Sequence, residues 1–235
     1  MKKVLTGLLI LTLILSGCNA ETMASGVEEA GESASQQESA AQEPAECEQE
    51  ELDVAGDFLI PIEDVFSITG RGVVVTGRIA RGHISINDEI EIVGMSGEVI
   101  TTKVTGIESF RKLLDSAEAG DNVGLRINAA KEDITRGQVA AKPGSICAYT
   151  NFKAVITTIS DGQKTISDLE GFSEQFYIRT IDVTGVITSL EKLSEDTAAI
   201  TVIISVPVAL EVDTQFTLRQ NGRTVAAGKV TEVGK

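Results

Sequence analysis

Histidine and cysteine are the side chains best suited to acid–base, nucleophilic or metal chemistry, and this 235-residue chain has few of them. His83 is the single histidine, which excludes histidine-rich metal sites and makes any Ser-His-Asp triad depend on one residue. The cysteines Cys18, Cys47 and Cys147 form no CxxC pair, which excludes a zinc ribbon and a thioredoxin-like motif. We therefore expect no catalytic and no metal-binding residues, although folding could still bring Asp and Glu side chains together.

Cys18 is the cysteine whose surroundings predict a reaction. Lys2 and Lys3 precede an apolar run, Val4–Leu15, which at about a dozen residues is shorter than the ~20 that a membrane-spanning helix needs. A basic start followed by a short apolar run is typical of a secretory signal. The run ends in Leu15-Ser16-Gly17-Cys18, which resembles the lipobox of bacterial lipoproteins.

The lipobox resemblance implies that diacylglycerol is attached to the Cys18 thiol and that residues 1–17 are removed as a signal peptide. The small residues Ser16 and Gly17 fit the peptidase that cuts before the cysteine. Because two or three acyl chains anchor a protein stably, we expect a lipid anchor on the extracytoplasmic side of the cell membrane. A secretory signal with an incidental cysteine and an uncleaved anchor are the alternatives.

The net charge of -15 is concentrated in one short segment. Residues 18–57 hold 12 acidic and no basic side chains, whereas residues 58–235 hold 23 acidic and 18 basic ones. Because the acidic segment has almost no large apolar residues to bury, we predict a disordered tether. A short helix over 45–52 is the alternative for that part of it. Its Cys47 could pair with Cys147 or with another protein, or remain a free thiol.

The composition also limits the partners. The excess of acidic side chains repels nucleic-acid phosphates. An aromatic share of 4% without Trp provides few rings on which bases could stack. Acidic residues interleave in sequence with Arg71, Arg78 and Arg81, which predicts a mixed, solvated face there. We expect contact with the membrane through the lipid, an unknown protein or surface ligand as partner, and no nucleic acid.

From residue 58 onward the pattern predicts an all-β fold, because short runs of Val, Ile and Thr alternate with Gly, Asn and Asp. Asn87-Asp88 and Asn221-Gly222 are read as hairpin turns, and a turn near Lys142-Pro143 separates two modules of similar size. This spacing fits barrels or sandwiches. Strands are predicted at 72–79, 84–86, 89–93, 99–110, 122–127, 138–140, 152–159, 175–190, 198–206, 215–220 and 224–230.

Six further stretches carry a family resemblance: residues 58–82, 104–115, 119–124, 136–145, 175–185 and 221–228. They strongly resemble bacterial elongation factor Tu. The resemblance runs in order to the C-terminus and implies two consecutive β-barrels, similar to the second and third domains of that factor, at 58–144 and 145–235.

In that family, the second domain holds the aminoacyl end of tRNA in a small pocket. The resemblance places the pocket wall on Ile68, Gly70 and Val74, with Glu108 and Arg111 on the facing strand. By this resemblance Gly70 leaves room for a base and the Glu108 carboxylate bonds the ribose or a ring edge. Barrel turns and a surface ion pair are the alternative, purely structural roles.

The family's contacts to the tRNA stem are carried over at Gln175 and Thr184. The basic stretch that follows the family's third-domain start corresponds to residues 161–170, where neutral and acidic residues replace basic ones and weaken the attraction to phosphates.

The chain has no GxxxxGK[ST] phosphate loop and no Asn-Lys-x-Asp guanine motif. We therefore expect no GTP site, no cofactor apart from the covalent lipid on Cys18, and no catalysis. The sequence predicts a lipid-anchored, extracytoplasmic binding or structural module that is not an enzyme. A translation-related protein that binds the aminoacyl end of tRNA is the alternative, and the export signal argues against it.

Overall fold

The computed structural model describes residues 53, 55–70, 72–159, 169, 171, 173–220 and 222–234. These residues belong to one compact unit of the chain, Gln49–Lys235. Cys18, Cys47, the signal segment and nearly all of the predicted tether, including the optional helix at 45–52, lie outside the described residues. In the part of the chain that is described, no helix has the length and apolar composition needed to cross a bilayer.

About two thirds of the described residues lie in β-strands and none lies in an α-helix, which confirms the predicted all-β class. The strands fall into a first module, β1–β10, and a second module, β11–β16, with a short 3-10 helix at Lys131–Asp133 in the first. The strands of the first module are β1 Leu59–Pro61, β2 Asp64–Ile68, β3 Gly72–Arg78, β4 His83–Ser85, β5 Glu89–Val93, β6 Ile100–Ser109, β7 Lys112–Leu114, β8 Ser116–Glu118, β9 Asn122–Ile127 and β10 Val139–Ala141.

Eight strands of the first module form one sheet in the order β1-β10-β5-β6-β9-β3-β2, with β7 paired to β6. The sheet curls so that the segment just after β3 reaches β1, at the other end of the strand order. There the Leu59 N–H donates to the Arg81 carbonyl (3.1 Å), and the Ala80 N–H donates to the Leu59 carbonyl (2.9 Å). Alternate side chains point inward and form one core. Its fully buried members include Ile60, Val75, Ile90, Val104 and Leu125.

The predicted hairpin between 84–86 and 89–93 is wrong, although both strands exist. β4 pairs with β8, whereas β5 pairs with β6 and β10. The turn itself is present: Asn87 has a φ of 76°, and the Asp88 carboxylate accepts the Ser85 N–H at 2.8 Å. The turn connects β4 and β5, which belong to different sheets. Partners that are distant in sequence decide how each of these strands pairs. His83 begins β4 and is exposed.

The strands of the second module are β11 Cys147–Thr158, β12 Ser173–Ile178, β13 Ile181–Lys192, β14 Thr197–Leu210, β15 Gln215–Gln220 and β16 Arg223–Val233. They form a closed barrel in the order β11-β14-β13-β12-β15-β16. The single strand predicted at 175–190 is instead two strands, β12 and β13, with a turn at Arg179, whose φ is 52°. The hairpin predicted at 221–222 is confirmed, since Gln220 pairs with Arg223.

Three phenylalanines fill the interior of this barrel. Phe152 meets Phe176 and Phe216 edge-on, with ring centroids 6.1 and 5.6 Å apart, and each is at most 3% exposed. Two strand glycines make room for the rings. A Cβ on Gly185 would lie 2.8 Å from the Phe176 ring, and one on Gly228 would lie 2.5 Å from the Phe216 ring.

A small apolar cluster joins the two modules, with Leu59, Val93, Val139 and Ala141 from the first and Ile146 and Ala209 from the second. Polar bonds flank it. The Thr180 hydroxyl donates to the Ile62 carbonyl (2.8 Å), and the Arg136 guanidinium donates to the Thr180 carbonyl (2.8 Å). The modules therefore share packed and hydrogen-bonded surface within the one compact unit.

The junction also contains the Glu211 carboxylate, which pairs with two arginines, Arg81 and Arg179. Glu211 Oε1 lies 2.6 Å from Arg81 Nη1 and 2.9 Å from Arg179 Nη2. Burial lowers the pKa of Arg179 from its ordinary value, the Glu211 carboxylate raises it, and the neighbouring Arg81 guanidinium lowers it. Arg81 was expected on a solvated face, yet its side chain is only 21% exposed, because Glu211 comes to it from the other module.

Candidate functional site

The outer face of the sheet β7-β6-β9-β3-β2 carries the candidate site. In an antiparallel sheet, residues directly opposite one another point to the same face, so the register defines which side chains meet there. Two rows run across the outer face: Phe66, Val74, Arg126 and Gly106 in one, and Asp64, Thr76, Gly124, Glu108 and Leu113 in the next.

A cavity of about 280 Å³, which we call the outer-face cavity, is lined by the residues of these rows other than Phe66 and Asp64, together with Ile68, Ile107 and Phe110. Its floor is low at Gly124, which carries no side chain, and at Val74 and Thr76, which carry small ones. A Cβ on Gly124 would lie 3.1 Å from Val74 Cγ1, so any larger residue at 124 would occupy the floor. Apolar side chains from opposite edges of the sheet form the rim: Ile68, Phe110 and Leu113.

Two opposite charges face this cavity. The Arg126 guanidinium lies over Gly106 and donates to the Thr105 carbonyl (2.7 Å) and hydroxyl (3.2 Å). Glu108 is exposed and lies diagonally across the β6–β9 ladder from Arg126. A small-residue floor, an apolar rim and one charge of each sign suit a ligand that has an apolar part and a polar or charged part.

The rim on the β7 side ends in an unusual turn. Ser109 pairs with Lys112, so Phe110 and Arg111 are the two central residues of a tight hairpin, and both have positive φ, 48° and 66°. Asn and Gly are the usual residues in such a turn, because other side chains are strained there. Phe110 is nevertheless 84% exposed and Leu113 80% exposed. We call Phe110–Leu113 the hairpin tip.

Three of the five pocket residues placed by resemblance line the outer-face cavity: Ile68, Val74 and Glu108. Gly70 and Arg111 lie outside its lining, in the β2–β3 turn and in the hairpin tip. Gly70 has a φ of 76° and a Cβ there would meet nothing within 4 Å. Its glycine therefore serves the turn conformation.

The sequence reasoning missed seven lining residues: Thr76, Gly106, Ile107, Phe110, Leu113, Gly124 and Arg126. Reading 99–110 as one strand placed Phe110 at a strand end instead of in a turn. The available signal was the alternation within 122–127, which predicts Gly124 and Arg126 on one face.

The two predicted stem contacts lie on the second module. Gln175 and Thr184 are directly opposite each other on β12 and β13, and Gln175 Nε2 donates to Thr184 Oγ1 at 3.2 Å. Both are exposed. Of the stretch 161–170, the described residue is Leu169, which is buried in the barrel core.

Two other cavities contain side chains that already contact each other within this chain. A depression of about 700 Å³ on the second module contains Tyr177, whose ring is covered by the Arg219 guanidinium at 4.5 Å. A cavity of about 520 Å³ contains His83, Lys142 and Asp57, the last two joined at 2.7 Å. Within the described ranges, no group of three or more His, Cys, Asp or Glu could hold a metal ion. Cys147 is exposed and has a free thiol.

Comparison with known families agrees with the two-module architecture. Residues 72–141 match the family model described as elongation factor Tu domain 2, and residues 145–234 match the one described as elongation factor Tu C-terminal domain. Together these ranges cover about two thirds of the chain, and neither model is that of a GTPase domain. The two modules of this chain therefore belong to the elongation factor Tu domain 2 and C-terminal domain families.

Proposed function

We propose that this chain is a lipid-anchored, extracytoplasmic binding module without catalytic activity, and that the outer-face cavity is its ligand site. The cavity is the observation that carries the proposal, since a glycine-cleared floor, an apolar rim and two opposite charges are features of a binding site. The two matched domains, neither of which is catalytic, also support binding.

The anchoring half of the proposal rests on the first 18 residues. Labelling cells with radioactive palmitate tests it, with Cys18→Ser as the control. We expect the wild-type chain to carry label in the membrane fraction and the variant to carry none. An unlabelled wild-type chain in the cytosol would contradict the anchor and leave the cavity to be judged separately.

The ligand site can be tested in cells by photocrosslinking. A photoreactive residue replaces Ile68, which lines the cavity and is 42% exposed, or Val186 on the second module, which is 38% exposed and serves as the matched control. We expect adducts from position 68 that disappear when Gly124→Leu fills the floor. Adducts that form equally from position 186, or that survive Gly124→Leu, would contradict a ligand in the cavity.

A second candidate function is binding of the aminoacyl end of tRNA, favoured by the fact that Ile68, Val74 and Glu108 line one cavity. Filter binding of residues 49–235 to aminoacyl-tRNA and to uncharged tRNA distinguishes the two functions. Salt-sensitive binding at micromolar concentration or below, lost with Gly124→Leu, would establish this candidate. We expect weaker binding, because neutral and acidic residues in 161–170 replace the basic ones of the family and weaken the attraction to phosphates.

A further inference from the structure

We infer that the hairpin tip docks the first module onto an anionic lipid bilayer. The tip carries the two most exposed large apolar side chains in the described residues, Phe110 at 84% and Leu113 at 80%. Large apolar groups that stand this far out of a folded domain mark a surface that another partner covers. The same outer face also carries Phe66 and Ile68, which are 51% and 42% exposed.

The backbone of the tip presents these side chains away from the sheet. The ladder between β6 and β7 ends at the Ser109–Lys112 pair, so Phe110 and Arg111 project beyond it. Both have positive φ, an arrangement that Asn and Gly would adopt with less strain. Bulky residues at such positions reduce stability without packing on the domain, which is consistent with a role in contacting a partner.

The basic charge of the hairpin tip indicates that its partner is anionic. Arg111 and Lys112 are exposed and stand between Phe110 and Leu113, so the order is apolar, basic, basic, apolar. Basic side chains beside aromatic and aliphatic ones fit the boundary between anionic headgroups and acyl chains. Glu108, which faces Leu113 across the ladder, is an exposed acid behind the tip. The attraction therefore comes from the projecting turn itself.

A bilayer fits the shape of this surface better than a peptide or a nucleic acid does. A two-residue turn that projects beyond its sheet enters a soft interface, whereas an extended chain needs a groove along which to lie. Exposed aromatic residues apart from the tip are also too few to stack a strand of bases. In the described residues they are Phe66 and, on the second module, Tyr177, whose ring is covered by Arg219.

The inference goes beyond ligand binding and rests on the proposed anchor only for its setting in the cell. Two apolar and two basic side chains give weak binding on their own, but a lipid anchor on the same chain would raise the local concentration at the membrane. Docking would turn the opening of the outer-face cavity toward the bilayer. A ligand at the membrane surface would then reach the cavity directly.

Vesicle co-sedimentation of residues 49–235, without signal or lipid, tests the tip separately from the anchor. This range holds all the described strands and both module cores, and its folding is verified by circular dichroism. The probes are vesicles of phosphatidylcholine alone and of phosphatidylcholine mixed with phosphatidylglycerol. The tip variant is Phe110→Ser with Leu113→Ser, and the matched control is Val186→Ser with Ile203→Ser, two exposed apolar residues on the second module.

We expect binding to the anionic vesicles, weaker binding at high salt, and a drop of roughly tenfold or more in the tip variant, because the apolar burial is lost. The control should bind like the wild type.

Arg111→Gln with Lys112→Gln should also weaken binding and remove its salt dependence. Equal binding by the tip variant and the wild type, or none to anionic vesicles, would overturn the inference. If the basic variant loses tRNA in filter binding while no variant binds vesicles, the tip serves a nucleic acid instead.

Discussion

The two modules differ in where they place most of their described phenylalanines. In the second module Phe152, Phe176 and Phe216 are buried inside a closed barrel. In the first module Phe66 and Phe110 are 51% and 84% exposed on the outer face, and Phe58 is buried. The second module therefore uses these three rings for its own stability, whereas the first exposes two of its three phenylalanines on its outer face.

The largest expected effect comes from removing one interior ring. Phe176→Ala should lower the free energy of unfolding by about 3–5 kcal/mol, because Phe176 is fully buried and the barrel cannot collapse into the space. Phe110→Ala is the matched control and should change it by less than about 0.5 kcal/mol. Urea unfolding followed by circular dichroism measures both. A large loss in the Phe110 variant would show that the exposed ring supports the fold, and the contrast would fail.

The junction between the modules should give the next largest effect. Glu211→Gln leaves Arg81 and Arg179 close together without their shared carboxylate, and both side chains are mostly buried, at 21% and 16% exposed. We expect a loss of about 1–3 kcal/mol, less than for a fully buried pair because water still reaches the group. Urea unfolding measures it, with Glu232→Gln at an exposed ion pair as the control. Equal losses in both variants would mean that the junction contributes no special stability.

Local sequence patterns were sufficient for much of the fold. The strands predicted at 122–127 and 215–220 have the observed bounds of β9 and β15, and Asn221-Gly222 predicted a true hairpin. The pattern failed where pairing depends on distant partners, as for β4 with β8. It also failed at Arg179, where a non-glycine residue with positive φ ends β12 without any of the usual turn residues.

The residues around the candidate site could be predicted in part. Of the positions given by resemblance, Ile68, Val74 and Glu108 line the cavity, whereas Gly70 and Arg111 lie outside its lining. A matching residue type does not tell whether the backbone or the side chain is needed. Arg81 could not be assigned from its neighbours in sequence, since its partner Glu211 is contributed by the other module.

The turn of the hairpin tip offers a smaller effect of opposite sign. Phe110→Asn with Arg111→Gly installs the residues that tolerate two positive φ angles, and we expect a gain in stability of about 1 kcal/mol. The urea midpoint measures the gain. Phe110→Ala alone, which removes the ring but not the strain, should show no such gain. A double variant no more stable than the wild type would mean that the turn is unstrained, and that the first module gives up no stability to present its tip.

The smallest effect should come from the outer surface of the barrel. Lys153 and Glu232 lie opposite each other on β11 and β16, with Nζ and Oε2 2.8 Å apart, and their side chains are 57% and 63% exposed. Because water and salt screen such a pair, Lys153→Ala should cost at most about 0.5 kcal/mol, and added salt should remove the difference. Urea unfolding at low and high salt measures this. A larger, salt-independent loss would show that contacts on the outside hold β11 to β16, and the stability of the barrel could no longer be assigned mainly to its interior rings.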